Sequence, residues 1–360
     1  MEDKKSLPKD LSRVPQSLSF DTTALVRTYN EEAAIIRDIL VYTSYMKMKN
    51  IFGEVEFSIE EFCKTMGYSR TTLQRTIARF KENPKQTPII DGHKFDSPFE
   101  YALFRAMKEN VVFRRKREGK DVFESVQLIE GIEVLYNRDT RKGTKRTYNI
   151  KLSKVIRDYL FSEYNLIDFN EYRSLRTSKI SDTGSLRNFY IFMARMVAQL
   201  KYHQKTGESQ AFILSIDDLC SILSSEASSA KEKKKYIKKV LGDLQANIHK
   251  MIFEWQFIKQ NSRFAYFVEF HFPEETLHYF DEQLKAVFYN NLYGELKRRF
   301  VIAGKSELLN SFERIQDRLA NISLDEFYYL YVDNPDVNPE KYQIYKEIYE
   351  RTFGVSFNCR

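Results

Sequence analysis

Phe57-Ser58-Ile59-Glu60-Glu61-Phe62-Cys63-Lys64-Thr65-Met66 and, 157 residues later, Leu214-Ser215-Ile216-Asp217-Asp218-Leu219-Cys220-Ser221-Ile222-Leu223 are two copies of one pattern. Ser, Ile and Cys coincide, and the acidic pair and the apolar positions agree in type. Ser58 and Ser215 are at N-cap positions, where a hydroxyl accepts from a backbone N–H that the helix leaves unpaired. The acid three residues later, Glu61 or Asp218, completes a capping box, with Asp218 the shorter substitute. The apolar residues recur at helical spacing and face a core.

The surroundings repeat as well. Asn30-Glu31-Glu32 opens an amphipathic helix to about Met48, with Ala34, Ile35, Ile39, Tyr42 and Met46 inward. Ser185 opens a matching helix to about Tyr202, with Phe189, Phe192, Met193, Met196 and Leu200 inward. A turn with Gly53 or Gly207 follows, then a short strand, Glu54–Phe57 or Ala211–Leu214, and the capped helix. Two copies this far apart read as two domains, since solenoid periods run at roughly 20–50 residues.

After Met66, Gly67 suits a left-handed turn residue. Ser69 then caps a second helix, Arg70–Phe80, with Leu73, Ile77 and Phe80 on its buried face. Helix, glycine turn, helix is a helix-turn-helix pattern. Ser69, Arg70, Thr71, Thr72, Gln74, Arg75 and Arg79 are its candidate DNA contacts, because Arg and Gln can read guanine and adenine bidentately. An ordinary solvated helix face is the plainer alternative. The acid-free stretch from Ser69 to Lys81 favours DNA. In the second copy the turn has no glycine, and Ala230–Lys250 carries Lys231, Lys233, Lys234, Lys235, Lys238 and Lys239 opposite Tyr236, Ile237, Val240, Leu241, Leu244 and Ile248. Lysine is a point charge suited to phosphate, so this copy is expected to anchor more than it specifies.

Each helical pair leads to a strand pair. Phe123–Tyr136 and Thr147–Leu152 flank a basic tip with Arg138, Arg141, Lys142, Lys145 and Arg146, the charge of a wing that lies along a phosphate backbone. Met251–Lys259 and Phe264–Phe272 flank a tip with Arg263. A helix-rich insertion over 84–120 has Ser97 capping and Pro98 at the first helical position. Its run Arg114-Arg115-Lys116-Arg117 reads equally as backbone contact or soluble loop.

The fold expected is α+β, mostly helical: two tandem winged helix-turn-helix domains with a helical C-terminal extension. The boundaries are a flexible arm at 1–25, a first domain at 26–160, a linker at 161–184, a second domain at 185–272 and an acidic extension at 273–360. The extension carries 11 Lys and Arg against 15 Asp and Glu, a net of −4, so residues 1–272 carry +11 and the whole chain +7. That is where the DNA-binding patterns lie.

Other classes fit less well. Cys63, Cys220 and Cys359 make no metal-spaced pair, and Cys63 and Cys220 read as small buried apolar residues. Sparse cysteine, no apolar h-region in MEDKKSLPKDLSRVPQ and no membrane-length apolar run lead to the expectation of a cytoplasmic, DNA-associated bacterial protein with no membrane partner. No two of the five histidines are two apart, as a nickase would require, and no P-loop occurs. No enzymatic activity, metal or cofactor is expected.

At this point the chain resembles the tandem winged-helix Rep initiators of theta-replicating plasmids over about residues 30–272. Thr147-Tyr148-Asn149-Ile150-Lys151-Leu152-Ser153-Lys154-Val155-Ile156-Arg157-Asp158-Tyr159-Leu160 is similar to the strand and helix that close that family's first domain. Phe161–Leu175 running into Ser185-Leu186-Arg187-Asn188-Phe189-Tyr190 resembles its linker and Arg-x-x-Tyr helix. Tyr236-Ile237-Lys238-Lys239-Val240-Leu241 before the last hairpin is the third feature. The resemblance implies binding to repeats (iterons) at a plasmid origin, recruitment of host replication proteins, and self-repression as a homodimer. The insertion and the acidic extension have no match in it. A transcriptional regulator without a replication role is the alternative, and a protein-binding role for the same helices is a weaker one.

Overall fold

Leu11–Pro15 forms a strand, β1, followed by short helices α1 (Gln16–Phe20) and α2 (Ala24–Tyr29). The flexible arm expected over 1–25 is therefore corrected from Leu11 onward. Val14 is fully buried, and the Ser12 hydroxyl donates to the Val41 carbonyl at 2.9 Å. The computed structural model describes residues 11–46, 54–117, 120–139, 143–162, 164–177, 183–206, 211–259 and 266–279. Asp10–Leu277 is one compact unit. Met1–Lys9 and His278–Arg360 group as a second, of which only His278 and Tyr279 are described. The acidic extension thus lies almost wholly outside the described residues.

A 3-10 turn, Asn30–Glu32, leads into α3 (Ala33–Tyr45). The one-sided helix expected here is instead buried on every side from Ile35 to Thr43, Arg37 and Asp38 included. Next come β2 (Glu54–Ser58), α4 (Ile59–Met66), α5 (Arg70–Gln74) and α6 (Ala78–Glu82). Ser58 and Glu61 make the full reciprocal capping box, and Gly67 ends α4 at φ 74°. Only a residue without a Cβ adopts that conformation at no cost.

The insertion is less helical than expected. Beyond a 3-10 turn it holds two-residue strands β3 (Ile89–Ile90) and β4 (His93–Lys94), one helix, α7 (Pro98–Lys108), and β5 (Asn110–Arg117). Ser97 caps α7 as expected, accepting from the Glu100 N–H. The basic run 114–117 belongs to β5, not to a loop, and pairs antiparallel with β6 (Lys120–Gln127). The strand expected over Phe123–Tyr136 is thereby divided. Its first part completes the β5–β6 hairpin, and β7 (Ile129–Asp139) pairs with β8 (Gly143–Leu152). Leu128 at the division is fully buried, and its carbonyl accepts from the Ser153 N–H at 3.1 Å.

After α8 (Lys154–Ser162), the segment expected as a linker contains β9 (Tyr164–Asp168), antiparallel to β1, and α9 (Phe169–Thr177). Then come α10 (Thr183–Thr206), β10 (Ala211–Ser215), α11 (Ile216–Ile222), α12 (Ala230–Gln245), β11 (Glu254–Lys259) and β12 (Tyr266–His271).

The repeat is real in three dimensions. One sheet has the order β2-β8-β7 and the other β10-β12-β11, so in each the returning hairpin strand is central and the first strand lies beside it. Each capped helix ends alike: the Tyr68 N–H donates to the Cys63 carbonyl and the Ser225 N–H to the Cys220 carbonyl, both at 2.9 Å. Ser224, at φ 53°, takes the left-handed position that Gly67 takes in the first copy. The second capping box is only half formed. Ser215 accepts from the Asp218 N–H at 3.0 Å, while the Asp218 carboxylate reaches only the Ser215 hydroxyl, at 2.7 Å. Aspartate is one methylene too short to reach the backbone as Glu61 does.

Each copy has an aromatic core. Tyr42 meets Phe57 and Phe62 edge-on at 5.0 and 5.3 Å, and Phe62 meets Phe99 at 5.2 Å. Phe189, Phe253 and Phe270 form the counterpart. Such pairs add about 0.5–1.5 kcal/mol each beyond area burial. Cys63 and Cys220 are buried, and burial pushes the Cys63 thiol up to about 11.

Candidate nucleic-acid interface

The helix expected over Arg70–Phe80 is broken in two. Ser69 caps it as expected, accepting from the Thr72 N–H at 3.4 Å, but Arg75 and Ile77 are extended. Asp96 supplies the reason: its carbonyl takes the Ile77 N–H at 2.9 Å and its carboxylate the Thr76 hydroxyl at 3.4 Å. Leu73 and Phe80 are buried as the spacing requires. Ser69, Arg70, Thr71, Thr72 and Arg75 are exposed together around the first turn, with Gln74 half-buried.

These residues are not equally available to a ligand. Arg70 donates to Gln74 at 2.7 Å and pairs with Glu60, so the Arg70 and Gln74 side chains both have partners within the protein. Arg79 lies over the Tyr101 ring at 4.7 Å and faces Glu32 at 3.7 Å. It packs the helix down as much as it presents a charge. Arg75 is the exposed cation of this turn that no described group engages.

In the β7–β8 hairpin, Arg146 points inward. Its guanidinium donates to Glu100 at 2.8 Å, and Glu100 has no exposed surface. Tyr148 donates to the same carboxylate oxygen at 2.8 Å, and His93 Nε2 stands 3.6 Å from it. Burial opposes the Arg146 charge, but Glu100 outweighs it and holds Arg146 above its ordinary value. Arg146 is therefore a half-exposed partner for a buried acid, and its guanidinium is already engaged within the protein. Arg138 pairs with Thr144 and Lys145 with Asn137 along the ladder. Their side chains, and Arg141 and Lys142 altogether, lie outside the described residues, as does Arg263 at the second tip.

In the second copy, Ser229 and Glu232 form a full capping box at the start of α12. The helix ends at Gln245, a turn and more before the expected Lys250. Its lysines divide into two groups. Lys233 pairs with Asp217 at 2.7 Å, and the Lys234 ammonium sits 3.0 Å from the centre of the Tyr266 ring. Lys231, Lys235, Lys238 and Lys239 are exposed, and positions 231, 235 and 238 fall on one face at helical spacing. Ile237, Val240, Leu241, Leu244 and Ile248 are buried opposite.

Between the two copies lies a buried polar cluster that the sequence reading did not find. Asp38 has no exposed surface and pairs with Arg187, also fully buried, and with Arg37 at 3.4 Å. Tyr172 and Tyr68 donate to its carboxylate at 2.6 and 2.8 Å. Arg37 also reaches the Gly184 carbonyl at 2.9 Å. Burial alone would raise the Asp38 carboxyl, but Arg187, Arg37 and the two tyrosines outweigh it and hold it below the usual range. A second tie starts at Asp168, which caps α9 by accepting from the Glu171 N–H at 2.9 Å. Glu171 accepts from Tyr190 at 2.8 Å and from the Lys250 N–H at 2.6 Å, and Lys250 Nζ pairs with Asp168 at 2.6 Å. Asp168-Phe169-Asn170-Glu171 is a capping signature like that at Ser58, and it was the available signal that the supposed linker is structured.

Among the described residues no group of three His, Cys, Asp or Glu could hold a metal ion. No described helix is long and apolar enough to cross a membrane. No family model matches the chain, and no curated protein matches it. Among solved structures the chain is similar to a Pi initiator protein in complex with iteron DNA, at 13% identity and a TM-score of 0.42. The likeness covers 73% of this chain and 97% of that one, and is too loose to carry a fold or a function across.

Proposed function

We propose that this protein binds duplex DNA through two tandem winged helix-turn-helix units and initiates plasmid replication by binding repeats at the origin and recruiting host replication proteins. The observation that carries the reading is the doubled unit itself: strand, capped helix, left-handed turn, second helix and hairpin. Exposed cations stand at the second helix of each copy, Arg75 just past the end of α5 in one and Lys231, Lys235, Lys238 and Lys239 on α12 in the other. Arginine beside exposed threonines suits base-edge reading, and a lysine face suits phosphate. The replication role rests on the resemblance of Thr147–Leu160, Phe161–Tyr190 and Tyr236–Leu241 to plasmid Rep initiators. No step requires a catalytic residue or a cofactor.

The test has two stages. The full chain should bind duplex DNA with affinity that falls steeply with salt, each neutralised phosphate contributing about −0.9 to the slope of log K against log salt. A flat salt dependence would exclude the mode. A plasmid carrying the sequence beside the gene, with its direct repeats, should then be maintained in cells only when the protein is supplied. Binding without maintenance would leave a transcriptional regulator as the reading.

A further inference from the structure

We propose that the groove between α4 and α9 holds a phosphodiester group of the DNA backbone beside the residues Ser69–Arg75. The proposal rests on the duplex-DNA reading above and adds a contact in which α9, outside both helix-turn-helix patterns, joins α4. The groove is open, with a volume of about 590 Å³. Lys64, Thr65 and Gly67 line one wall, and Asn170, Arg173 and Ser174 line the other. Lys64 and Arg173 are both exposed and come from separate elements. The Ser174 hydroxyl donates to the Glu171 carbonyl at 2.7 Å and Thr65 bonds the Tyr42 hydroxyl, so what the groove offers a phosphate is the charge of Lys64 and Arg173. Glu61 also lines the groove, but its carboxylate accepts from the Ser58 N–H at 2.8 Å and the Ser58 hydroxyl at 3.0 Å.

The ground beneath the groove is built and positively charged. Fully buried Arg187 donates to the Met66 carbonyl at 3.1 Å and to the Arg173 carbonyl at 3.0 Å, so one guanidinium fixes both walls. Arg187 and Arg37 share the single carboxylate of Asp38, which leaves one positive charge uncompensated within the cluster. A charge so placed is screened less than a surface charge and favours an anion above it. Gly67 links the groove to Ser69, two residues on, at the start of the candidate base-reading turn. A phosphate held here would set the register of that turn on the duplex.

The test uses the full chain and fluorescence anisotropy on mixed-sequence duplex DNA across about 50–200 mM salt. Lys64→Gln with Arg173→Gln should make the salt slope shallower by about 0.9 and weaken binding roughly eightfold near 0.1 M salt, equally on every sequence. Its melting temperature should match the wild type, since both side chains are exposed. Lys64→Arg with Arg173→Lys keeps the charge and should keep the slope. An unchanged slope and affinity in the glutamine variant, with Arg75→Ala still weakening binding, overturns the groove while leaving the duplex-DNA reading in place. A charge-conserving variant that loses binding as the glutamine variant does would also overturn it. A wild-type chain with no salt-dependent duplex binding overturns both.

Discussion

Arg187 and Asp38 form an ion pair with neither side chain exposed, although 149 residues separate them in the chain. Asp38 stands on α3 and Arg187 on α10, the matching long helices of the first and second copies. With Tyr172 of α9 between them, the pair joins both copies and the segment that connects them. Removing one partner of a buried pair leaves an uncompensated charge. Asp38→Ala should therefore lose about 3–5 kcal/mol in urea unfolding. A loss below about 1 kcal/mol, typical of a surface pair, would show that the cluster is not closed to water.

The same carboxylate makes stability depend on acid. Its folded pKa is depressed, so it contributes stability that is present above the unfolded value and lost as pH falls through the folded one. Wild-type stability should fall as pH drops below about 4, the ordinary carboxylate range. Asp38→Asn, already weaker at neutral pH, should show a smaller further drop over that interval. Parallel curves for the two proteins would count against the assignment.

Arg75 and Arg146 should separate cleanly. Arg75→Ala is expected to leave the melting temperature unchanged, relax sequence preference and cost roughly 1–3 kcal/mol on the preferred site. Arg146→Ala strips a partner from fully buried Glu100 and should lower stability by about 1–3 kcal/mol before any effect on DNA is read. Thermal melts beside binding titrations distinguish the two. Equal melting temperatures would return Arg146 to the DNA contacts.

The lysines of α12 should also divide. Lys235→Gln with Lys238→Gln should weaken all sequences alike and reduce the salt slope by up to about 1.8 if both meet phosphates. Lys234→Gln removes a cation from the Tyr266 ring and should act on stability instead, by about 0.5–1 kcal/mol. A binding loss in the Lys234 variant equal to that of the double variant would show that the ring contact does not hold the ammonium back.

A fragment of residues 1–160 should not behave as an independent domain. It lacks β9, the antiparallel partner of β1, and it lacks both Arg187 and Tyr172 around Asp38. We expect it to unfold at lower urea than the full chain and to bind duplex DNA weakly. In the full chain the two basic helices belong to one compact unit, so contacts should fall about one helical turn apart, on one face. Inserting about half a turn of DNA between them should cost far more than a flexible tether would allow. A fragment as stable as the whole, or indifference to the insertion, would restore the picture of two domains on a linker.

Periodicity and capping chemistry alone determined the order of strand, capped helix, turn and hairpin in both copies. Ser58 with Glu61, Gly67, Ser69 and Ser97 act at the positions their side chains dictate, because a cap or a left-handed turn is decided by neighbours in the chain. The α+β class and the buried faces of Leu73, Phe80, Ile237 and Leu241 followed from the same local rules. What the chain does at a distance was not legible. Asp96 breaks the helix at Ile77 from nineteen residues away, and Glu100 on α7 draws Arg146 inward from 46 residues away. β1 gains its partner only when β9 folds against it. A strand needs another strand, and a buried charge needs a counter-charge, so the identity of each partner is set by packing. Those long-range pairings turned an expected arm and linker into parts of one compact unit, and left the cations of the interface either engaged or exposed.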